Sequence, residues 1–142
     1  GLGLASAQAV GPMLEKRTIS IMGDGGFWHN GLQTGVLSNL FNEGDGILII
    51  MQNGYSSATG QQDIPSSMEP SNPETQTSEI ESTLKTLGVS WLRTVRTYGV
   101  SRMLETLREA MTTEQKGLKL LLLMVNVCLL VNVVSRARIR RD

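Results

Sequence analysis

The sequence predicts an α/β fold, a doubly wound, mostly parallel sheet flanked by helices. Short apolar runs at residues 17–22, 47–51, 89–95 and 118–125 alternate with longer stretches of helical periodicity. One of them, Ile47-Leu-Ile-Ile-Met51, is apolar at every position, as suits a strand covered on both faces of a parallel sheet. The length, 142 residues, allows one domain with a real core and is too short for two.

In chain order, the small apolar residues from Leu2 to Val10 suit a helix packed tightly on the sheet, interrupted by Gly11-Pro12. Arg17 to Met22 alternates as a strand and runs into Gly23-Asp24-Gly25-Gly26. Between Asn30 and Asn42, Leu32, Val36, Leu37, Leu40 and Phe41 recur at helical spacing, with Asn30 as the N-cap. Gly44-Asp45-Gly46 turns the chain into the second strand. Residues 52–77 change to Gly, Ser, Pro, Gln and Asn, a loop long enough to be either functional or disordered. A helix follows over about 78–87, then a strand from Val89 to Val95. Val100 to Met111 reads as an amphipathic helix with Leu104 and Leu107 inward, and Leu118 to Val125 as the fourth strand. Strands alternating with helices imply right-handed parallel crossovers.

Thirteen basic residues balance thirteen acidic ones, so nothing in the charge calls for nucleic acid or an acidic membrane. The single cysteine, Cys128, makes no internal disulfide and holds no cluster alone. A reducing, cytoplasmic setting fits, with any iron–sulfur chemistry elsewhere. Gly1 to Val10 resembles the inside of a helix rather than a signal peptide, so the chain reads as a piece of a longer one. The uncharged run from Leu120 to Val134 is about 15 residues, short of the roughly 20 that span a bilayer. No membrane association is expected. The domain is placed at residues 1–125, and 126–142, with Arg136, Arg138, Arg140 and Arg141, as an irregular basic tail.

Ligands of open α/β sheets bind beyond the carboxyl ends of the strands. Asp24 follows the first strand and Asn53 the second, whose ends lie about 4.8 Å apart if the strands are neighbours. A carboxylate and an amide oxygen then reach one hard cation that keeps phosphate oxygens in its shell. Eight of the fifteen glycines fall at 23–31 and 44–60, allowing backbone N–H groups close to an anion, and the helix from Asn30 adds its positive end. Alone, Gly23-Asp-Gly reads equally as a strand-to-helix turn, Asp24 as a helix-start carboxylate and Asn53 as a turn residue; the pairing carries the weight. His29, the one histidine, either donates to a phosphate or to substrate, or completes the turn. Phe27 and Trp28 suit packing beneath the loop.

The segment from Gly23-Asp24-Gly25 to Gln52-Asn53 resembles the thiamine-diphosphate motif, which opens with Gly-Asp-Gly and closes with Asn-Asn; Gln52 replaces the first of that pair. The resemblance implies Mg2+ held by Asp24, Asn53 and the backbone carbonyl of Tyr55, with Gly23, Gly25, Gly26 and His29 near the diphosphate. The stretch Asn53-Gly-Tyr55-Ser-Ser-Ala-Thr59-Gly60-Gln61 is similar to a cofactor-side loop of 2-oxoacid:ferredoxin oxidoreductases, which implies that Thr59, Gly60 and Gln61 line the pocket. Gly23 to Gly31, with Met51-Gln-Asn-Gly-Tyr55, looks most like the alpha subunits of indolepyruvate ferredoxin oxidoreductases. The resemblance covers roughly residues 1–119 and is strongest over 21–67.

It implies the diphosphate-binding domain of an enzyme that oxidatively decarboxylates a 2-oxo acid. Electrons would pass through iron–sulfur clusters outside this fragment to ferredoxin, and the acyl group to coenzyme A. The glutamate that activates the cofactor is expected on a partner thiamine domain or subunit, so the fragment alone is expected to be inactive. The end departs from the pattern: Cys128 and the arginines remain, but the acidic position is gone. A non-oxidative thiamine-diphosphate decarboxylase or synthase is the alternative, against which the Tyr55…Thr59-Gly60-Gln61 loop argues. A non-catalytic α/β domain of the same fold is the other. No pocket residue selects among 2-oxo acids.

Overall fold

The period-two pattern of the strands divides the core into two faces. In β2 (Ile47–Gln52) and β6 (Lys119–Met124), Leu48, Ile50, Leu120 and Leu122 pack on one side. Ile47, Ile49, Leu121 and Leu123 pack on the other. All eight are buried, the state of strands in the middle of a covered parallel sheet. The computed structural model describes residues 2–57, 60, 62–67 and 78–125. Among them, β1 (Ile19–Gly23), β2, β6 and β5 (Trp91–Arg96) form a four-stranded sheet in the order β1-β2-β6-β5, every pair parallel.

Helix α1 (Leu2–Leu14), a helical run α2 (residues 24–41), and α3 (Ile80–Thr86) supply Leu4, Phe27, Val36, Ile80 and Leu84 to the first face. Helix α4 (Val100–Thr112) covers the β5–β6 half of the second. Helices on both faces confirm the α/β assignment. Over β1 the second face is open, and Ile19 and Ile21 are exposed there.

Four expectations change. Helix α1 runs through Gly11-Pro12 to Leu14. Proline disfavours a helical predecessor largely through that residue's Cβ, and Gly11 has none. The second helix starts at Asp24, directly off β1, so Asn30 is not its N-cap. It comprises an α turn (Asp24–Gly26), a wider π segment (Phe27–Leu37) and a final α turn (Ser38–Phe41), together α2. On α4 the inward residues are Met103, Thr106, Leu107 and Ala110, spaced i, i+3, i+4, i+7; Leu104 points outward at 45% exposure. Within the expected loop, β3 (Tyr55–Ser56) pairs antiparallel with β4 (Gln62–Asp63). The tail with Cys128 lies outside the described residues.

Gly31 of α2 is a packing residue. A Cβ on Gly31 would lie 2.6 Å from Met22 Sδ and 3.0 Å from the Gly26 carbonyl oxygen. Gly31→Ala is therefore expected to destabilise by about 1–2 kcal/mol in urea unfolding, since overpacking outweighs the helix-propensity gain. Equal or higher stability would show that α2 does not press on β1 in this way.

Candidate functional site

β1 and β2 end side by side. Their register sets Gly23 beside Met51, so Asp24 and the turn from Gln52 to Gly54 leave the sheet together at its carboxyl end. Asp24 opens α2 with its side chain 1% exposed. Its Oδ2 accepts the backbone N–H groups of Asn53 at 2.8 Å and Gly54 at 2.7 Å. Its Oδ1 accepts that of Gly25 at 2.9 Å. Charge-assisted bonds of this kind are roughly twice as strong as neutral ones. No lysine, arginine or histidine forms an ion pair with Asp24 among the described residues. A carboxylate has about four acceptor sites, so three N–H donors leave room for a further partner. A buried negative charge without a counter-ion favours a cation in that place.

Asn53 is placed beside the carboxylate, but its backbone N–H is what meets it. Its Oδ1 accepts the N–H of Tyr55 at 3.0 Å and its Nδ2 donates to Ser57 Oγ at 2.7 Å, an Asx turn. The Oδ1 oxygen keeps a second lone pair. Among the described residues no group of three or more His, Cys, Asp or Glu side chains suits a metal. A cation at Asp24 would thus draw on amide, backbone and ligand oxygens, the donor set of a hard divalent ion that retains phosphate.

The glycines divide by role. A Cβ on Gly23 or Gly26 meets nothing within 4 Å, so this side of the first helical turn is open. On Gly25 it would come within 3.2 Å of Ser56 Cβ and 3.3 Å of Ser56 Cα, so Gly25 is packed against β3. Tyr55 is half-buried within β3. Gly60, at φ +102°, donates to the Ser57 carbonyl at 3.3 Å across a turn. Thr59 and Gln61 lie outside the described residues. His29 is exposed on α2 itself and not in a loop.

Phe27 is buried and meets Trp28 edge-on at 5.0 Å. Trp28 Nε1 donates to Ser66 Oγ at 2.8 Å, while Phe27 joins the first face of the core; the stretch expected to be a loop above them is itself helical. No sequence motif marks the serines at 66 and 67, nor the Asn53 and Gly54 N–H donors on Asp24. Gly54 alone carried a hint, as a glycine directly after a strand-end asparagine.

Sheet order and strand-end carboxylate together place the chain among α/β domains that take a ligand at the carboxyl ends of parallel strands. The fold is similar to that of a 2-oxoglutarate:ferredoxin oxidoreductase from Magnetococcus marinus, solved with 2-oxoglutarate, coenzyme A and succinyl-CoA bound. The TM-score is 0.68 at 18% identity, covering 84% of this chain and 43% of that one. The chain belongs to the family of thiamine pyrophosphate enzymes, C-terminal TPP binding domain, which matches residues 1–122. It is also similar to the indolepyruvate oxidoreductase subunit IorA of Archaeoglobus fulgidus, 25% identical over 112 residues. That match spans 78% of this chain but 18% of the relative. The family resemblance visible in the motifs is thereby borne out.

Proposed function

We propose that this domain anchors the Mg2+–diphosphate end of thiamine diphosphate in a 2-oxoacid:ferredoxin oxidoreductase acting on an indolepyruvate-like acid. The observation that carries it is the buried Asp24 carboxylate, fixed by three backbone N–H groups at the shared end of β1 and β2 with no ion-paired cation among the described residues. Asp24, the Asn53 amide oxygen and the Tyr55 carbonyl would hold the metal. The open side at Gly23 and Gly26 would admit the diphosphate. When bound, the cofactor supplies a thiazolium carbanion that adds to the keto carbon of a 2-oxo acid. The protein residues fix its position and neutralise its charge, which is where a rigid site contributes to rate.

Iron–sulfur clusters and the glutamate that activates the cofactor belong, in this proposal, to other parts of the assembly, and coenzyme A and ferredoxin serve as acyl and electron acceptors. A cytoplasmic location belongs to the same proposal; among the described residues no helix is long and apolar enough to cross a membrane. The full-length protein with its partner subunits is expected to reduce a low-potential dye with indolepyruvate, dependent on coenzyme A, thiamine diphosphate and Mg2+. Release of aldehyde and carbon dioxide without dye reduction would instead establish the non-oxidative alternative.

A further inference from the structure

Gly54 is the least constrained link in the site and also the one bonded to Asp24. Its φ is +83°, a Cβ there would meet nothing within 4 Å, and a glycine in open space rotates freely. Yet the two peptide planes flanking it both carry site contacts. The plane before it gives the Gly54 N–H to Asp24 Oδ2. The plane after it gives the Tyr55 N–H to Asn53 Oδ1. A swing of that second plane would turn the asparagine oxygen away from the cation and loosen the donor on the carboxylate.

One side chain opposes that swing. Ser67, 1% exposed, donates its hydroxyl to the Gly54 carbonyl at 2.7 Å and accepts the N–H of Ile64 at 2.9 Å. Its own N–H returns to the Ile64 carbonyl at 2.9 Å, closing a turn that carries the hydroxyl. The Gly54–Tyr55 peptide is therefore gripped at both ends, by Ser67 through its oxygen and by Asn53 through its nitrogen.

We propose that Ser67 is a positioning residue for the metal site, clamping the Gly54–Tyr55 peptide so that Asn53 Oδ1 and the Asp24 carboxylate present one preformed set of oxygens. This inference rests on the metal–diphosphate function proposed above. Side chains that orient ligands from behind typically change metal affinity by about 10–100-fold when removed.

The test measures thiamine diphosphate binding to the full-length protein across a Mg2+ titration. Ser67→Ala is expected to raise the Mg2+ midpoint about tenfold, with turnover at saturating metal close to wild type. Ser66→Ala is the control: its hydroxyl is equally part of the loop but holds the Trp28 indole, and the midpoint should stay put. If the two serine variants shift the midpoint equally, or neither does, Ser67 is only a fold staple and the inference is wrong. Should Ser67→Ala fail to fold, Ser67→Cys, nearly isosteric with a weak donor, must show the same directional shift. Asp24→Asn separates the two levels. If that variant retains metal-dependent binding, the cation site itself is misassigned; if it loses binding while Ser67→Ala does not, only the clamp fails.

Discussion

Asp24→Asn is expected to leave the domain folded and to weaken Mg2+-dependent thiamine diphosphate binding by about 100-fold or more. The substitution keeps the shape and one acceptor oxygen for the Asn53 and Gly54 N–H groups, but it removes the charge that a cation requires. Its new amide N–H2 would face the Gly25 N–H, now 2.9 Å from Oδ1, at a modest further cost. Asp24→Ala behaves differently. It leaves the N–H groups of Gly25, Asn53 and Gly54 without their acceptor, each worth about 1–3 kcal/mol when buried, so loss of fold accompanies loss of binding. Calorimetry on the full-length protein, with circular dichroism to confirm folding, separates charge from scaffold. An Asp24→Asn protein that binds cofactor and metal as tightly as wild type would remove Asp24 from the site.

What was legible in the sequence follows from where the physical signal is local. Four apolar runs, with helical stretches between, sufficed for the parallel sheet because burial on both faces leaves no polar position in Ile47–Ile50. The convergence of Asp24 and Asn53 followed as well, since parallel strands must end on one side and each residue comes one step beyond a strand. The start of α2 was not legible. Glycines at 23, 25, 26 and 31 signal a break by propensity, whereas contact with Ser56 at Gly25 and with Met22 at Gly31 leaves no room for a Cβ at those two helical positions. Gly11-Pro12 misled in the same way. Leu104 reads as inward from the apolar pattern, but the helix face that meets β5 and β6 runs through Met103, Thr106, Leu107 and Ala110. Ser66 and Ser67 sit in a polar loop with no periodicity, and only the fold brings them under Trp28 and Gly54. Lys119 was not legible for the opposite reason: a lysine opening a strand is ordinarily exposed, and this one is fully buried.

Asp45→Ala is expected to destabilise the fold by about 3 kcal/mol. The Lys119 ammonium is buried and donates to Asp45 Oδ1 and, at 2.8 Å, to the Gly117 carbonyl. Arg17 Nε donates to the same carboxylate at 3.2 Å while its guanidinium reaches the Ala110 and Met111 carbonyls at the end of α4. One carboxylate thus ties the start of β6 to the approach to β1 and the end of α4. Without Asp45, a buried ammonium keeps a single carbonyl; the low end of the usual cost applies because Asp45 is itself 31% exposed. Lys119→Met should cost less, since Arg17 still pairs with a carboxylate that water reaches. Burial raises the Asp45 pKa, but hydrogen bonds from Lys119 and Arg17 and their positive charges outweigh it and hold the group below its ordinary value of 3.8. A pKa depressed in the folded state means that the stabilisation is complete above the unfolded value and is lost as pH falls through the folded one. The advantage of wild type over Asp45→Asn should therefore be constant from pH 7 to about 5 and shrink below about 4. Urea midpoints of the two proteins at each pH measure it. Curves that stay parallel into the acid range would show that Asp45 carries no such load and that Lys119 is accommodated without it.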